Sequence, residues 1–328
     1  MLLLAAENGR AIFWRTAMSY ELNPDETRGD GLRRIITRQI ENAIGASKAR
    51  RNGRDSPVHQ TRQHLKKARA ALRLVRGEVE RDVWKWENRC LGRVAKMISE
   101  VRDAEVRLET VRQLREIGPG KRRRFQETEE LLAFELDSFL AAFAEWPEEA
   151  GSRLSETLRR VSEWPLEKLG CERVRRNVQK TYKLGKRALE CASQKKTTTR
   201  FHALRKRVKD LGYQIRLLRP LGPVVFCDLE DELKTVGKCL GQLHDLAFVE
   251  QRLSSLGPAE KKAERVLSAV ITARSDELKA SAIALAERFY AERPRRFAHR
   301  LARYFRQWET VRVRCVAPAE KQALALIR

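Results

Sequence analysis

The apolar residues of this chain recur every three to four positions, and almost nowhere every second position. An apolar stripe of that period buries one face of an α-helix, whereas a half-buried strand needs period two. Between the stripes lie Arg, Lys, Glu, Leu and Ala, which are strong helix formers, and the sparse Gly and Pro residues mark the breaks. The pattern predicts helices over about 30–50, 56–77, 81–117, 121–146, 153–193, 199–219, 226–256, 259–292 and 294–310. The β-branched pair Val224-Val225 is too short to signal a strand, so the expected class is all-α.

Two of these predicted helices read alike. From His59 the chain runs HQTRQHLKKARAALRLVR, and from His202, 143 residues later, HALRKRVKDLGYQIRLLR. In the first, Leu65, Ala68, Leu72 and Val75 fall on one arc; Val208, Leu211, Ile215 and Leu218 repeat it. A flanking arc carries Arg62, Lys66, Arg73 and Arg76, repeated as Arg205, Lys209, Arg216 and Arg219. A second pair of segments, Glu100 to Val106 and Gln242 to Phe248, matches at an offset of 142. Two anchors at nearly one offset predict a duplicated bundle of about four helices per half. The expected division is a tail over 1–17, a first repeat over 18–150 and a second over 151–328, with the boundary near Ala150-Gly151-Ser152. Trp164-Pro165 to Gly170 should then interrupt the first helix of the second half.

Charge gives the pattern a purpose. Among 328 residues, 68 Lys and Arg against 44 Asp and Glu leave a formal charge of +24, which points to a polyanionic partner. Cys90, Cys171, Cys191, Cys227, Cys239 and Cys315 form no C-x-x-C pair and read as reduced residues of a cytoplasmic protein. The opening Met1-Leu-Leu-Leu-Ala-Ala run lacks a basic flank and is too short for an export signal, and Met18 is an alternative start. No stretch approaches the ~20 apolar residues of a membrane span.

Ser56-Pro57 reads as a helix start with Ser56 as N-cap, and Thr199 is the expected N-cap of the second copy, so both His59 and His202 should sit at the third helical position. Unpaired backbone N–H groups there favour an anion and disfavour a histidine cation. An imidazole followed by guanidinium and ammonium groups at turn intervals suits a chain of phosphates. A lone charged stripe is usually a solvated face, but such faces mix signs, and Arg62 to Arg76 contains no acid. Arg33, Arg34 and Arg38, and later Arg173, Arg175, Arg176, Lys180, Lys183, Lys186 and Arg187, are candidates to flank the stripes. Lys121-Arg-Arg-Arg124 is not a P-loop and reads as a basic surface turn; His64, His244 and His299 read as structural or surface groups.

Several of these landmarks resemble the CHAD family: Tyr20 to Glu26, His59-x-x-Arg62-x-x-x-Lys66-Lys67-x-Arg69, Arg102-Asp103, Thr181-Tyr182-Lys183 with Gly185-Lys186, His202-x-x-Arg205-x-x-x-Lys209, and His244-Asp245. Together they span about residues 18–310. The resemblance implies two four-helix repeats around a central basic groove and non-catalytic binding of inorganic polyphosphate, often at polyphosphate granules. The expected polyphosphate-binding set is His59, Arg62, Lys66, Arg69, Arg73, Arg34, Arg38, Arg102, Lys183, Lys186, His202, Arg205, Lys206, Lys209 and Arg216. Asp210 and Gly212 depart from the family pattern and weaken the second stripe.

Two other functions compete. A phosphotransferase or phosphatase would use the same cations, but no HExxH, facing carboxylate pair or metal-ligand cluster is written here, so no catalytic residue, metal or cofactor is expected. Asp103 and Asp245 are expected to hold neighbouring cations in place. Nucleic acid is the stronger rival, since a basic surface does not distinguish polyanions; but Trp84, Trp86, Trp146 and Trp164 read as core residues rather than stacking platforms. No membrane partner is expected, and nothing in the sequence names a protein partner.

Overall fold

The computed structural model describes residues 20–23, 26–49, 56–117, 122–254 and 261–306, with the side chains of 117, 122–125 and 261–267 excluded. The expected tail over 1–17, the Gly118-Pro-Gly120-Lys121 segment and Cys315 lie outside the described residues. The fold is all-α. Its helices are α1 (Arg28–Ser47), α2 (Pro57–Leu74), α3 (Arg81–Met97), α4 (Ser99–Ile117), α5 (Arg122–Ala142), α6 (Trp146–Ser162), α7 (Cys171–Gln194), α8 (Thr198–Leu217), α9 (Pro223–Leu253), α10 (Lys261–Phe289) and α11 (294–306). None of the described helices is long and apolar enough to cross a membrane.

The stripes read from the sequence form the core. Leu65, Ala68, Leu72 and Val75 of the first copy and Val208, Leu211, Ile215 and Leu218 of the second are all fully buried. Element starts keep the offset: α1 and α7 begin 143 residues apart, at Arg28 and Cys171, and α3 and α9 begin 142 apart, at Arg81 and Pro223. α2 packs on α1 and α8, and α8 packs on α7 and α9, so the two motif helices meet at the centre of the molecule.

Ala150-Gly151-Ser152, where the division is expected, lies within a helix. Ala150 and Gly151 are buried inside α6, which packs on α1 and α3. The chain breaks at the Trp164–Gly170 turn instead. That turn is held on α1, where Arg33 donates to the Trp164 carbonyl (Nη2, 2.8 Å). Gly29 lets the turn approach: a Cβ there would stand 1.9 Å from the Leu166 carbonyl oxygen.

The expected single helix over 81–117 divides at Ile98, and side chains account for the division. Ala95 and Lys96 carbonyls, which would carry the helix onward, accept from Arg62 Nη1 and, at 2.6 Å, from Ser99 Oγ. The expected helix over 121–146 likewise ends at Ala142, and α6 restarts at Trp146. Arg122 to Arg124 begin α5 rather than forming a turn. Trp84, Trp146 and Trp164 are core residues, but Trp86 is half exposed beside the Arg93 guanidinium. Two positions along a helix is about 200° of rotation, so Trp84 and Trp86 cannot share a face.

Candidate polyanion site

Ser56 caps α2 as expected, its hydroxyl accepting from the His59 amide at 3.0 Å, so His59 occupies the third position. The same hydroxyl donates to Glu105 Oε2 at 2.8 Å, fastening the start of α2 to α4. The second copy differs. Thr197, not Thr199, is the cap, and α8 starts at Thr198, which places His202 a full turn in, at the fifth position. The helix terminus therefore has little hold on His202, and other groups set its charge.

Those groups are the cations of both motif helices. Lys66 of α2 lies within electrostatic reach of Arg62, of Arg205 and Lys209 across on α8, and of Arg102 on α4. Crowding by protein, then those four cations, push its ammonium down to about 7, although the side chain opens on solvent. Arg62 and Arg205 are also pushed down, first by burial, with Asp103 and Asp245 opposing the shift. Asp245 in turn has Arg205, Arg102, Lys66 and Lys209 around it, as Asp103 has Arg62, Arg107, Arg102 and Lys66. Both aspartates stand among these cations, and burial raises both carboxyls.

His202 and His244 close one side of this cluster. Their Nδ1 atoms are 3.1 Å apart, so one ring donates and the other accepts, which requires the accepting ring to be neutral. Burial first, then Lys206, Arg205 and Lys66, depress His202 to about 4; burial, Arg205 and His202 depress His244 to about 3. Sequence reasoning left His244 out of the site. Its place beside Asp245, the partner of Asp103 in the matched segments, was the available signal.

The guanidinium Nε atoms of Arg62, Arg205 and Arg216 are buried and donate to nothing among the described residues, as does Nε of Arg107. Buried donors normally find an acceptor, and a buried cationic donor is the most demanding kind. Arg102 is partly committed, donating to Glu105 Oε2 at 3.0 Å. Lys206 is exposed beside His202.

Other expected site residues are engaged elsewhere. Lys186 Nζ donates to the carbonyls of Tyr290 (2.8 Å) and Glu292 (3.3 Å), closing the end of α10, and Tyr182 Oη donates to the carbonyls of Phe289 and Glu292 at 3.2 Å each. Arg34 pairs with Glu26 and donates to the Glu21 carbonyl, which ties the segment before α1 to that helix. Arg69 donates to Asn88 Oδ1 at 3.1 Å, and Arg73 faces Asp210 Oδ1 at 3.3 Å. Arg38 and Lys183 are exposed on α1 and α7. The ends of the expected stripes turn away because both helices stop first: Arg76 stacks on Trp84 at 5.0 Å, and Arg219 pairs with Glu21 and Glu230.

Among the described residues no three His, Cys, Asp or Glu side chains converge as a metal site would require. Cys90, Cys191, Cys227 and Cys239 are free thiols. The arrangement is suited to hold a chain of negative groups across two helices.

No curated protein matches the sequence. Among solved structures, the crystal structure of the CHAD domain from the plant Ricinus communis is similar, with a TM-score of 0.63 at 17% identity, covering 82% of this chain and 95% of that one. The CHAD domain model matches residues 34–254, about two thirds of the sequence and all of the cluster just described. This chain belongs to the CHAD domain family.

Proposed function

We propose that this chain binds inorganic polyphosphate, without chemical conversion, on the cation cluster where α2 and α8 meet. The observation that carries the reading is the convergence of Arg62, Lys66, Arg205 and Lys209 with Arg102 within electrostatic reach of one another, where burial and then these cations push the Lys66 ammonium down. Folding such a cluster works against Coulomb repulsion, and a polyanion relieves it. Buried Nε donors on Arg62 and Arg205 offer the charge-assisted hydrogen bonds that phosphate oxygens accept. A soluble role in the cytoplasm, at polyphosphate granules, follows from the same reading. We assign Asp103 and Asp245 to positioning the cations rather than to catalysis.

Polyphosphate is favoured over nucleic acid because base stacking has little to use here: Trp84, Trp146 and Trp164 are interior, and the half-exposed Trp86 already has the Arg93 guanidinium over its ring. The test is calorimetric titration of the full chain with length-defined polyphosphate and with RNA at physiological salt. Polyphosphate should bind tightly and displace RNA. Tighter binding of RNA, with no displacement by polyphosphate, would overturn the proposal.

A further inference from the structure

α8 contains one acid, Asp210, and its position in the repeat is held in the first copy by Lys67. The exchange reverses a charge on one side of the cluster. Asp210 is largely buried; its Oδ1 is 3.3 Å from Arg73 Nη1 and its Oδ2 is 3.7 Å from Arg207 Nη1. Arg69 and Lys206 also act on it. Arg73 donates besides to the Arg69 carbonyl at 2.8 Å, and Arg69 is held by Asn88. On this side the cations already have an anion.

The matching place on the other side is different. There Lys67 and Arg216 are neighbours of like charge: Arg216 lowers the Lys67 ammonium, after burial. Lys67 Nζ lies 5.5 Å from the centre of the Tyr20 ring, and Arg216 keeps a buried Nε with no acceptor among the described residues. Glu21, a carboxylate within electrostatic reach of Arg216, is bound to Arg219.

We infer that Asp210 is a built-in counter-ion that ends the polyphosphate track at Arg73, so that a bound chain leaves the central cluster toward Lys67 and Arg216. This rests on the polyphosphate reading and adds to it a residue that sets direction and reach. A carboxylate already paired with Arg73 must be displaced, or left largely buried with only the longer contact to Arg207, before a phosphate can take its place, and neither is favourable.

The experiment is a double-mutant cycle on the full chain with Arg73→Gln, Asp210→Asn and the pair, titrated with long polyphosphate at physiological salt. Arg73→Gln should change wild-type affinity by no more than about twofold. Asp210→Asn should tighten binding roughly tenfold, the size of one new charge-assisted contact, and Arg73→Gln should then abolish that gain. In the wild-type background Lys67→Gln should weaken binding and make the log–log salt plot shallower by about one. Equal losses from Arg73→Gln with and without Asp210, or no gain from Asp210→Asn, would overturn the inference. Should Asp210→Asn fail to fold, Arg73→Gln and Lys67→Gln still decide it, since equal losses from the two would show a track open at both ends. Failure of the wild-type chain to bind polyphosphate at all would instead defeat the functional proposal.

Discussion

Lys66, His202 and His244 are held short of protons by their surroundings, and the proposed polyanion would reverse that bias. Negative charge beside them raises their affinity for protons, so binding takes protons up and strengthens as pH falls. Lys66, at about 7, dominates between pH 7 and 8. Calorimetry in two buffers of different ionisation enthalpy at pH 7.5 should show proton uptake that Lys66→Gln reduces; enthalpies independent of buffer would contradict it. The same groups bear on stability in the free protein. His64, which faces Gln39 Oε1 at 2.9 Å, is depressed to about 4 by burial and Lys67; His202 and His244 lie near 4 and 3. The unfolded chain binds these protons below about pH 6.5 while the folded one does not. The stability from keeping them neutral is therefore complete above about 6.5 and lost as pH falls toward 4. The melting temperature should drop between pH 7.5 and 5, less so when His64 is replaced by Gln. The downward direction at His202 was legible in the sequence, though ascribed there to the helix start; the shifts of Lys66, His64 and His244 were not, because burial and side chains of packed neighbouring helices dominate them.

The helices of the two halves are not equally committed to the site. α7 looked from its run of Lys and Arg like a flank of the stripe, yet Tyr182 and Lys186 fasten it to the end of α10. Gly185 permits the approach, since a Cβ there would stand 2.2 Å from Tyr290 Oη and 2.6 Å from its ring carbon Cζ. Gly185→Ala should lower stability by about 2 kcal/mol in urea unfolding, as overpacking does. Lys186→Met should lower it by about 1 kcal/mol while leaving the salt dependence of polyphosphate binding unchanged. A shallower salt plot for Lys186→Met would return that lysine to the binding surface. Periodicity was enough to place the core stripes of α2 and α8 and the cap at Ser56, because each depends on residues near in sequence. It could not place the break at Ile98, since the guanidinium that takes the Ala95 carbonyl comes from Arg62, on another helix.

Across the whole molecule, the packing of α2 on α8 brings together cations 143 residues apart in the chain, and the polyphosphate reading makes them one site. A long polyphosphate then makes its second contact intramolecularly, and affinity should rise steeply with chain length until the cluster and its open end are spanned, then level off. Tripolyphosphate is too short to gain in this way. The sequence disclosed the two stripes and their offset, but not which cations have anions beside them: Glu26, just before α1, pairs with Arg34, and Asp210, on another helix, pairs with Arg73. The measurement that bears most directly on the account is the salt dependence of affinity for long polyphosphate, in the wild-type chain and in Arg62→Gln, Arg205→Gln and the double variant. One shared site predicts a steep wild-type log–log plot, a slope shallower by about one for either single variant, and losses that are coupled rather than additive. A slope unchanged by either substitution, or strictly additive losses, would show that the two halves do not form one polyanion site.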